Sequence, residues 1–296
     1  MSWWQLTVQC SREQLEQTEN TLLELGALSL TIGDAQDEPI YEPLPGDTPV
    51  WSLSTVTGLF EQTLTLEQLY DDLIKRLPAE QVASIRKHQL EDQVWERVFL
   101  DRYHPIQCAD KLWICPSWIE PPDSDACNVI LDPGIAFGTG SHPTTALCLE
   151  FIGQHPPVNK SVLDFGCGSG ILAIAAHKLG AKKVCCIDID PQALDATRAN
   201  ALRNQIDPER WQIALPGNIT IQPVEYLMAN ILSGPLIELE PQFTALTLPG
   251  AQLLLSGILS EQADDIIAAY SQHFELDAVE ISEDWCRVTG MRKTTD

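Results

Sequence analysis

Positive charge is what this 296-residue sequence has least of: 18 lysines and arginines stand against 42 aspartates and glutamates, a formal net charge of −24. A field of that sign repels phosphate backbones and attracts basic partners. Nucleic acid is therefore a poor substrate expectation and a cationic protein a better one, although acidic surface serving solubility alone accounts for the charge equally well. Long apolar runs are missing too. None approaches the ~18 residues of a membrane span, and the start Met1-Ser2-Trp3-Trp4-Gln5 lacks a basic segment followed by an apolar core. The chain reads as soluble and cytoplasmic, with no membrane partner. Its nine cysteines include no C-x-x-C pair and no His/Cys zinc spacing, and several lie inside apolar runs. The expectation is reduced, buried thiols and no metal. Apolar residues are not scarce: at 44% they suffice for packed cores. The length exceeds the ~150-residue prior for a single domain, so two domains are expected.

One further absence sets the chemistry. In Val162-Leu163-Asp164-Phe165-Gly166-Cys167-Gly168-Ser169-Gly170-Ile171-Leu172, an apolar run ends in an acid, and three glycines precede an Ala-rich helical pattern. That is strand, tight turn and helix, with the helix start pointing free N–H groups at a ligand that lies close to the glycines. The dinucleotide fingerprint G-x-G-x-x-G needs a glycine where Ile171 stands, which disfavours a nicotinamide oxidoreductase. The actual pattern, G-x-G-x-G with an acid before it, is completed by Asp188, which ends the next apolar run 22 residues beyond Gly166. The combination resembles the Rossmann-like methyltransferases that use S-adenosylmethionine. A carboxylate at that strand end can accept hydrogen bonds from both ribose hydroxyls. An ordinary strand-to-helix turn, with Asp188 serving the helix that begins at Pro191, is the structural alternative. Cys167 lies within the turn, but no His is near it in sequence, and a catalytic role is not expected.

Taken in order, residues 3–8 alternate like a strand, and a helical pattern from Ser11 carries Leu15, Leu22, Leu23 and Leu25 before Gly26 stops it. Strands over 27–32 and 50–62, a loop over 33–49, a helix over 65–76 capped by Thr65 and a strand over 81–90 follow. This βαββαβ order predicts a smaller ferredoxin-like α+β domain over residues 1–91. It carries no cluster of chemically useful side chains, and binding a partner is its expected task. Residues 92–128 hold Trp95, Tyr103, Trp113 and Trp118 with no sustained periodicity, which reads as a linker packed against a domain. Residues 129–296 alternate β and α elements and predict a doubly wound α/β sheet, with strands over 274–282 and 285–293 forming an antiparallel hairpin at its edge.

Two further stretches converge on the carboxyl ends of those strands, where ligands of such sheets lie. In Leu131 to Thr145, glycines 134, 138 and 140 lead into a helix start at Pro143. Thr145, in the first turn, can offer its hydroxyl and the helix end to the carboxylate of an amino-acid-like ligand. His142 has two readings, a general base or a local hydrogen-bonding residue. Asn230 ends a strand in Met228-Ala229-Asn230-Ile231-Leu232-Ser233, a position that resembles the catalytic Asn of amino-directed methyltransferases. At pH 7 a lysine is neutral in only roughly one molecule per 2,500. An amide oxygen can accept the amine's N–H and aim its lone pair without the negative charge that would hold it as ammonium. The alternative for Asn230 is a cap before Pro235.

Together Phe137-Gly-Thr-Gly-Ser-His-Pro-Thr-Thr145, Leu163-Asp-Phe-Gly-Cys-Gly-Ser-Gly170, Ile187-Asp-Ile-Asp-Pro191, Ala229-Asn-Ile-Leu and Trp113-Ile-Cys-Pro-Ser-Trp118 closely resemble the bacterial PrmA family, methyltransferases of large-subunit ribosomal protein L11. The resemblance is strongest from about residue 95 onward, and Ser141 stands where Thr is more usual. It implies a class I S-adenosylmethionine-dependent protein methyltransferase that trimethylates lysine ε-amino and N-terminal α-amino groups. It also implies an N-terminal domain that docks the ribosomal protein, free or on the ribosome, without nucleic-acid specificity, and a monomeric chain. By position it assigns Thr145, Gly166, Gly168, Asp188 and Asn230 to the cofactor and Asn230 to catalysis. The alternatives are a methyltransferase of another protein or small amine, and a non-catalytic binding module.

Overall fold

The computed structural model describes residues 3–36, 38, 40, 49–61, 65–90, 103–132, 140–207 and 210–294. The chain divides into two compact units, Met1–Asp101 and Arg102–Asp296.

In the first unit, β1 (Trp3–Ser11), β2 (Ser29–Asp34), β3 (Leu53–Glu61) and β4 (Arg86–Leu90) form an antiparallel sheet ordered β2-β3-β1-β4. Alternation in β1 and β3 turns Leu6, Val8, Val56 and Phe60 to one face. They pack there with Leu22 of α1 (Leu15–Glu24) and with Leu69 and Leu73 of α2 (Leu66–Ile74). This is the ferredoxin-like arrangement, with Thr65 capping α2 through the Gln68 N–H as its position implies. The expected strand over 81–90 differs. Pro78 starts a short helix, α3 (Ala79–Ser84), and only Arg86–Leu90 pairs with β1. The helix is stabilised by a polar contact that alternation cannot reveal, since buried Gln81 donates to Thr18 Oγ1 at 3.0 Å.

In the second unit, part of the expected linker is folded. β5 (Ile106–Ala109), β6 (Leu112–Cys115) and β7 (Cys127–Ile130) form a small sheet, antiparallel between the first two and parallel between the last two. The strands are four residues long, too short to show a period, while Leu112, Ile114 and Val129 are buried in the core of this unit. Residues 92–102 of that linker, Trp95 among them, and 133–139 of the glycine-rich loop lie outside the described residues.

The main sheet runs β10 (Trp211–Ala214), β9 (Lys183–Ile187), β8 (Ser161–Phe165), β11 (Val224–Asn230), β12 (Thr247–Leu259), β15 (Trp285–Arg292) and β13 (Phe274–Leu276). The first five are parallel, and β15 is antiparallel to both neighbours. The expected strand over 274–282 is two strands, β13 and β14 (Glu280–Ser282), each pairing with β15, so β15 lies inside the sheet and β13 forms its edge. Helices α4 (Pro143–Gln154), α5 (Ile171–Lys178) and α6 (Pro191–Arg203) cover the face bearing Val162, Met228 and Leu254. α7 (Ser233–Ala245) and α8 (Ala263–Tyr270) cover the face bearing Leu163, Leu227 and Leu255. With helices on both faces, successive residues of β8, β11 and β12 are buried alternately against the two layers, which is why these strands read as continuous apolar runs. Among the described residues no helix is long and apolar enough to cross a membrane.

Candidate active site

At the carboxyl edge of the parallel strands the glycine turn closes on itself. Gly166, Gly168 and Gly170 have φ of 76°, 54° and 78°, left-handed values that carry the chain from β8 into α5. The Gly166 N–H donates to the Ile187 carbonyl at 2.7 Å, and the Gly170 N–H to the Cys167 carbonyl at 2.7 Å. Helix α6 buttresses the turn from outside: Thr197 Oγ1 donates to the Gly168 carbonyl and Asn200 Nδ2 to that of Ser169, each at 2.9 Å. At Gly166 close approach is obligatory, because a Cβ there would collide with the Ile231 side chain. Cys167 is buried with its Sγ 3.4 Å from Thr197 Oγ1, a packing position for the thiol.

Two acids organise this turn in different ways. Asp188 accepts the Gly168 N–H at 2.9 Å through one carboxylate oxygen and the Asp190 N–H at 3.0 Å through the other. Asp190, not Asp188, caps α6 by accepting the Gln192 N–H at 2.8 Å. Asp188 is thus spared helix duty, and its remaining lone pairs can receive hydroxyl donors. Next to it Ile189 is 81% exposed, an apolar surface at the same strand end that the sequence pattern did not single out. Asp164 is buried beneath the turn, where its Oδ2 accepts the Ala173 N–H at 3.1 Å. Gly170 as N-cap has no side chain, so Asp164 satisfies an N–H of the first turn of α5 from a distance. Burial pushes the Asp164 carboxyl up to about 7, against the Ala173 hydrogen bond, and the charge of Asp188 pushes the same way.

Asn230 ends β11. Phe165 pairs with Ala229 across the β8–β11 ladder, so Gly166 and Asn230 leave the sheet side by side. The Asn230 Nδ2 donates to Thr145 Oγ1 at 3.4 Å. Its Oδ1 is buried and has no hydrogen-bond partner among the described residues. An orphaned acceptor in such a place is costly unless a ligand completes it. Thr145 lies in the first turn of α4, and His142 caps that helix: its Nδ1 accepts the Thr144 N–H at 3.3 Å and lies 2.8 Å from Thr144 Oγ1. Burial lowers the His142 pKa, against the charge of Glu283, and Trp285 meets the imidazole edge-on at 5.0 Å. A proton on Nδ1 would break the cap, so the local role predominates over that of a base. Thr145, Gly166, Gly168, Asp188 and Asn230 therefore all gather at one edge of the sheet. Another neighbour of the turn, Ile231, escaped the sequence reading, because its place is set by close approach to Gly166. Among the described residues no group of three or more His, Cys, Asp or Glu is placed to hold a metal ion.

A five-stranded parallel sheet with one antiparallel strand inserted near its edge, a G-x-G-x-G turn at its middle strand and an acid at the end of the next define a Rossmann-like methyltransferase domain. The comparisons narrow the class. The family model described as ribosomal protein L11 methyltransferase (PrmA) matches residues 2–293, and the chain belongs to that family. It is 47% identical over 296 residues to the ribosomal protein L11 methyltransferase of Marinobacter nauticus, covering 99% of each chain. It is 48% identical over 297 residues to that of Pseudomonas aeruginosa, again covering 99% of each. The crystal structure of ribosomal protein L11 methylase from Lactobacillus delbrueckii subsp. bulgaricus superposes with a TM-score of 0.58 at 35% identity, covering 65% of this chain and all of that one.

Proposed function

We propose that the chain transfers methyl groups from S-adenosylmethionine to lysine ε-amino and N-terminal α-amino groups of ribosomal protein L11, up to trimethylation. The observation that carries this reading is the buried, unpartnered Asn230 Oδ1 beside the glycine turn. The residues fit the cofactor. Gly166, Gly168 and Gly170 take the left-handed conformations that fold the turn tightly at the strand end, and the Asp188 carboxylate beside it suits the ribose hydroxyls. Thr145 and the start of α4 suit the amino-acid moiety. Bound S-adenosylmethionine supplies a methyl group on a positively charged sulfur, open to in-line attack by a neutral amine.

The rest of the chemistry falls to the chain. In the first two transfers Asn230 Oδ1 accepts an N–H of the incoming amine and turns its lone pair toward the cofactor side of the site, while its Nδ2 stays on Thr145; the dimethylated amine of the third has no N–H and is held by shape alone. A neutral amide does not stabilise the ammonium form, and a partly apolar surrounding would lower the amine pKa. Water takes the released proton. Residues 1–91 dock the ribosomal protein, and the second unit, Arg102–Asp296, with the small sheet of β5 to β7 built into it, catalyses. The enzyme works as a cytoplasmic monomer and reads protein, not nucleic acid.

The test is to incubate the chain with labelled S-adenosylmethionine and ribosomes or ribosomal proteins from a methylation-deficient strain, then to locate the label by mass spectrometry. Label on the N-terminus and lysines of L11 is expected. Label on another protein or on a small amine would keep the site and overturn the substrate; cofactor binding without turnover would leave a binding module.

A further inference from the structure

We propose that Gly257 is a positioning residue for the amine-orienting Asn230 and acts through Ile231. The inference rests on the reading of Asn230 given above. β12 runs past the carboxyl edge of the sheet, and its register with β15 slips between Leu255 and Ile258. Gly257 sits in that slip with φ of +83°. The bend brings its Cα against the backbone of Ile231. A Cβ on Gly257 would stand 2.8 Å from the Ile231 carbonyl carbon and 2.9 Å from its amide nitrogen, and closer still to its carbonyl oxygen. These neighbours are backbone atoms, which cannot swing aside as the end of a side chain can.

Ile231 is held on its other side as well. Its Cγ2 occupies the space a Cβ on Gly166 would take, and its N–H donates to the Ser256 carbonyl at 3.1 Å. The peptide that follows Asn230 is thus clamped between a glycine of the cofactor turn and a glycine of the adjacent strand. The one side-chain bond that orients Asn230 is long, 3.4 Å to Thr145 Oγ1, so most of its aim must come from this backbone clamp. Any side chain at 257 pushes Ile231 away from β12 and turns the Asn230 amide with it. A misplacement of about 1 Å is enough to cost on the order of 10²-fold in rate.

Gly250 supplies the control. It lies in the same strand with φ of +77°, but a Cβ there meets no atom within 4 Å. Alanine at 250 therefore imposes the backbone strain without the collision. The experiment measures kcat and KM with L11, the Kd for S-adenosylmethionine and the melting temperature for the full chain and for Gly257→Ala, Gly257→Asn and Gly250→Ala. Asparagine enters the left-handed region readily, so Gly257→Asn keeps the collision and relieves the strain. Both 257 variants are expected to lower kcat about ten-fold or more, with KM and Kd within about three-fold, while Gly250→Ala keeps kcat within about two-fold. A kcat loss at 257 no larger than at 250, or one fully explained by lost cofactor affinity, overturns the proposal. If neither 257 variant folds, Ile231→Ala tests the clamp from its other side, since it introduces no collision and removes the Cγ2 contact on Gly166 while leaving the backbone at 231 in place. A fall in kcat at constant KM is then expected, and an unchanged kcat overturns the proposal. Asn230→Ala in the same assay separates the two levels. Wild-type turnover by that variant sinks the reading of Asn230 itself; its failure alongside active 257 and 231 variants sinks only the positioning role.

Discussion

Asp164 and Asp188 lie on neighbouring strands and face the same turn, yet their surroundings assign them different work. Asp188 holds the turn open to a ligand through two backbone N–H groups, and its charge remains available. Asp188→Ala removes the acceptor proposed for the ribose and also frees the Gly168 N–H. Each hydrogen bond to a charged group is worth about 1.5–3 kcal/mol, so affinity for S-adenosylmethionine is expected to fall more than ten-fold by calorimetry. Unchanged affinity would remove the ribose assignment. Asp164 is a structural acid whose carboxyl burial pushes up to about 7 from an ordinary 3.8. Between those values the folded chain keeps a proton that the unfolded chain has released. Stability contributed there is complete below the lower value and is lost as pH rises through the higher one. Urea titrations from pH 5 to 8 should therefore show wild-type stability declining, by on the order of 3 kcal/mol from this group. Asp164→Asn keeps an oxygen for the Ala173 N–H without the ionisation, and should show a flatter profile. Equal slopes for the two proteins would contradict this account.

Helix α4 makes the corresponding point for elements. Its N-terminus combines a histidine cap, proline at the first position and two threonines, and it places Thr145 against Asn230. If His142 serves only that end, His142→Ser should keep the cap and near-normal turnover. His142→Ala should cost about 1 kcal/mol of stability, with little change in the pH dependence of kcat. Loss of general-base catalysis would instead lower kcat in both variants by about 10²-fold or more, and a pH–rate profile of the two decides. The cap explains why this helix start was legible in the sequence: His142-Pro143 and the hydroxyls behind it are local signals. β8, β9, β11 and β12 were legible for a related reason, since strands packed by helices on both faces read as apolar runs. Where a contact is made at long range, legibility failed. The α3 turn depends on Gln81 meeting Thr18, and β5 to β7 are too short for a period to show. β12 spans Thr247–Leu259, but only its centre is an apolar run, with Thr247 to Gly250, a proline and a glycine among them, before it and Gly257 within it, so its ends carry no sequence signal. At the site, Thr145, the glycines, Asp188 and Asn230 could be picked out by residue type at a strand or helix end. Ile231, with Gly257 against it, could not, because what matters there is which backbone lies against which glycine.

On the scale of the whole molecule, each unit has its own apolar core, and most of the charge belongs to the surface: among the described residues Asp164, Glu240 and Arg287 are the only Asp, Glu, Lys or Arg that are buried. An excess of 42 acids over 18 bases leaves a negative field around an enzyme whose proposed substrate presents lysines. Such a field accelerates encounter more than it strengthens the docked complex, and ions screen it, with a Debye length of about 10 Å at 0.1 M salt. On the proposed mechanism the chemical step follows docking and involves a neutral amine, so salt has little purchase on it. Raising ionic strength from about 0.02 M to 0.3 M should therefore lower kcat/KM for L11 by about ten-fold or more, while kcat and the Kd for S-adenosylmethionine change little. A small uncharged-flank peptide bearing one lysine supplies the contrast, because it has little charge to steer and its kcat/KM should be nearly flat with salt. If L11 gives the same flat line, the acidity serves solubility alone, and the docking proposed for residues 1–91 must then rest on shape and apolar contact.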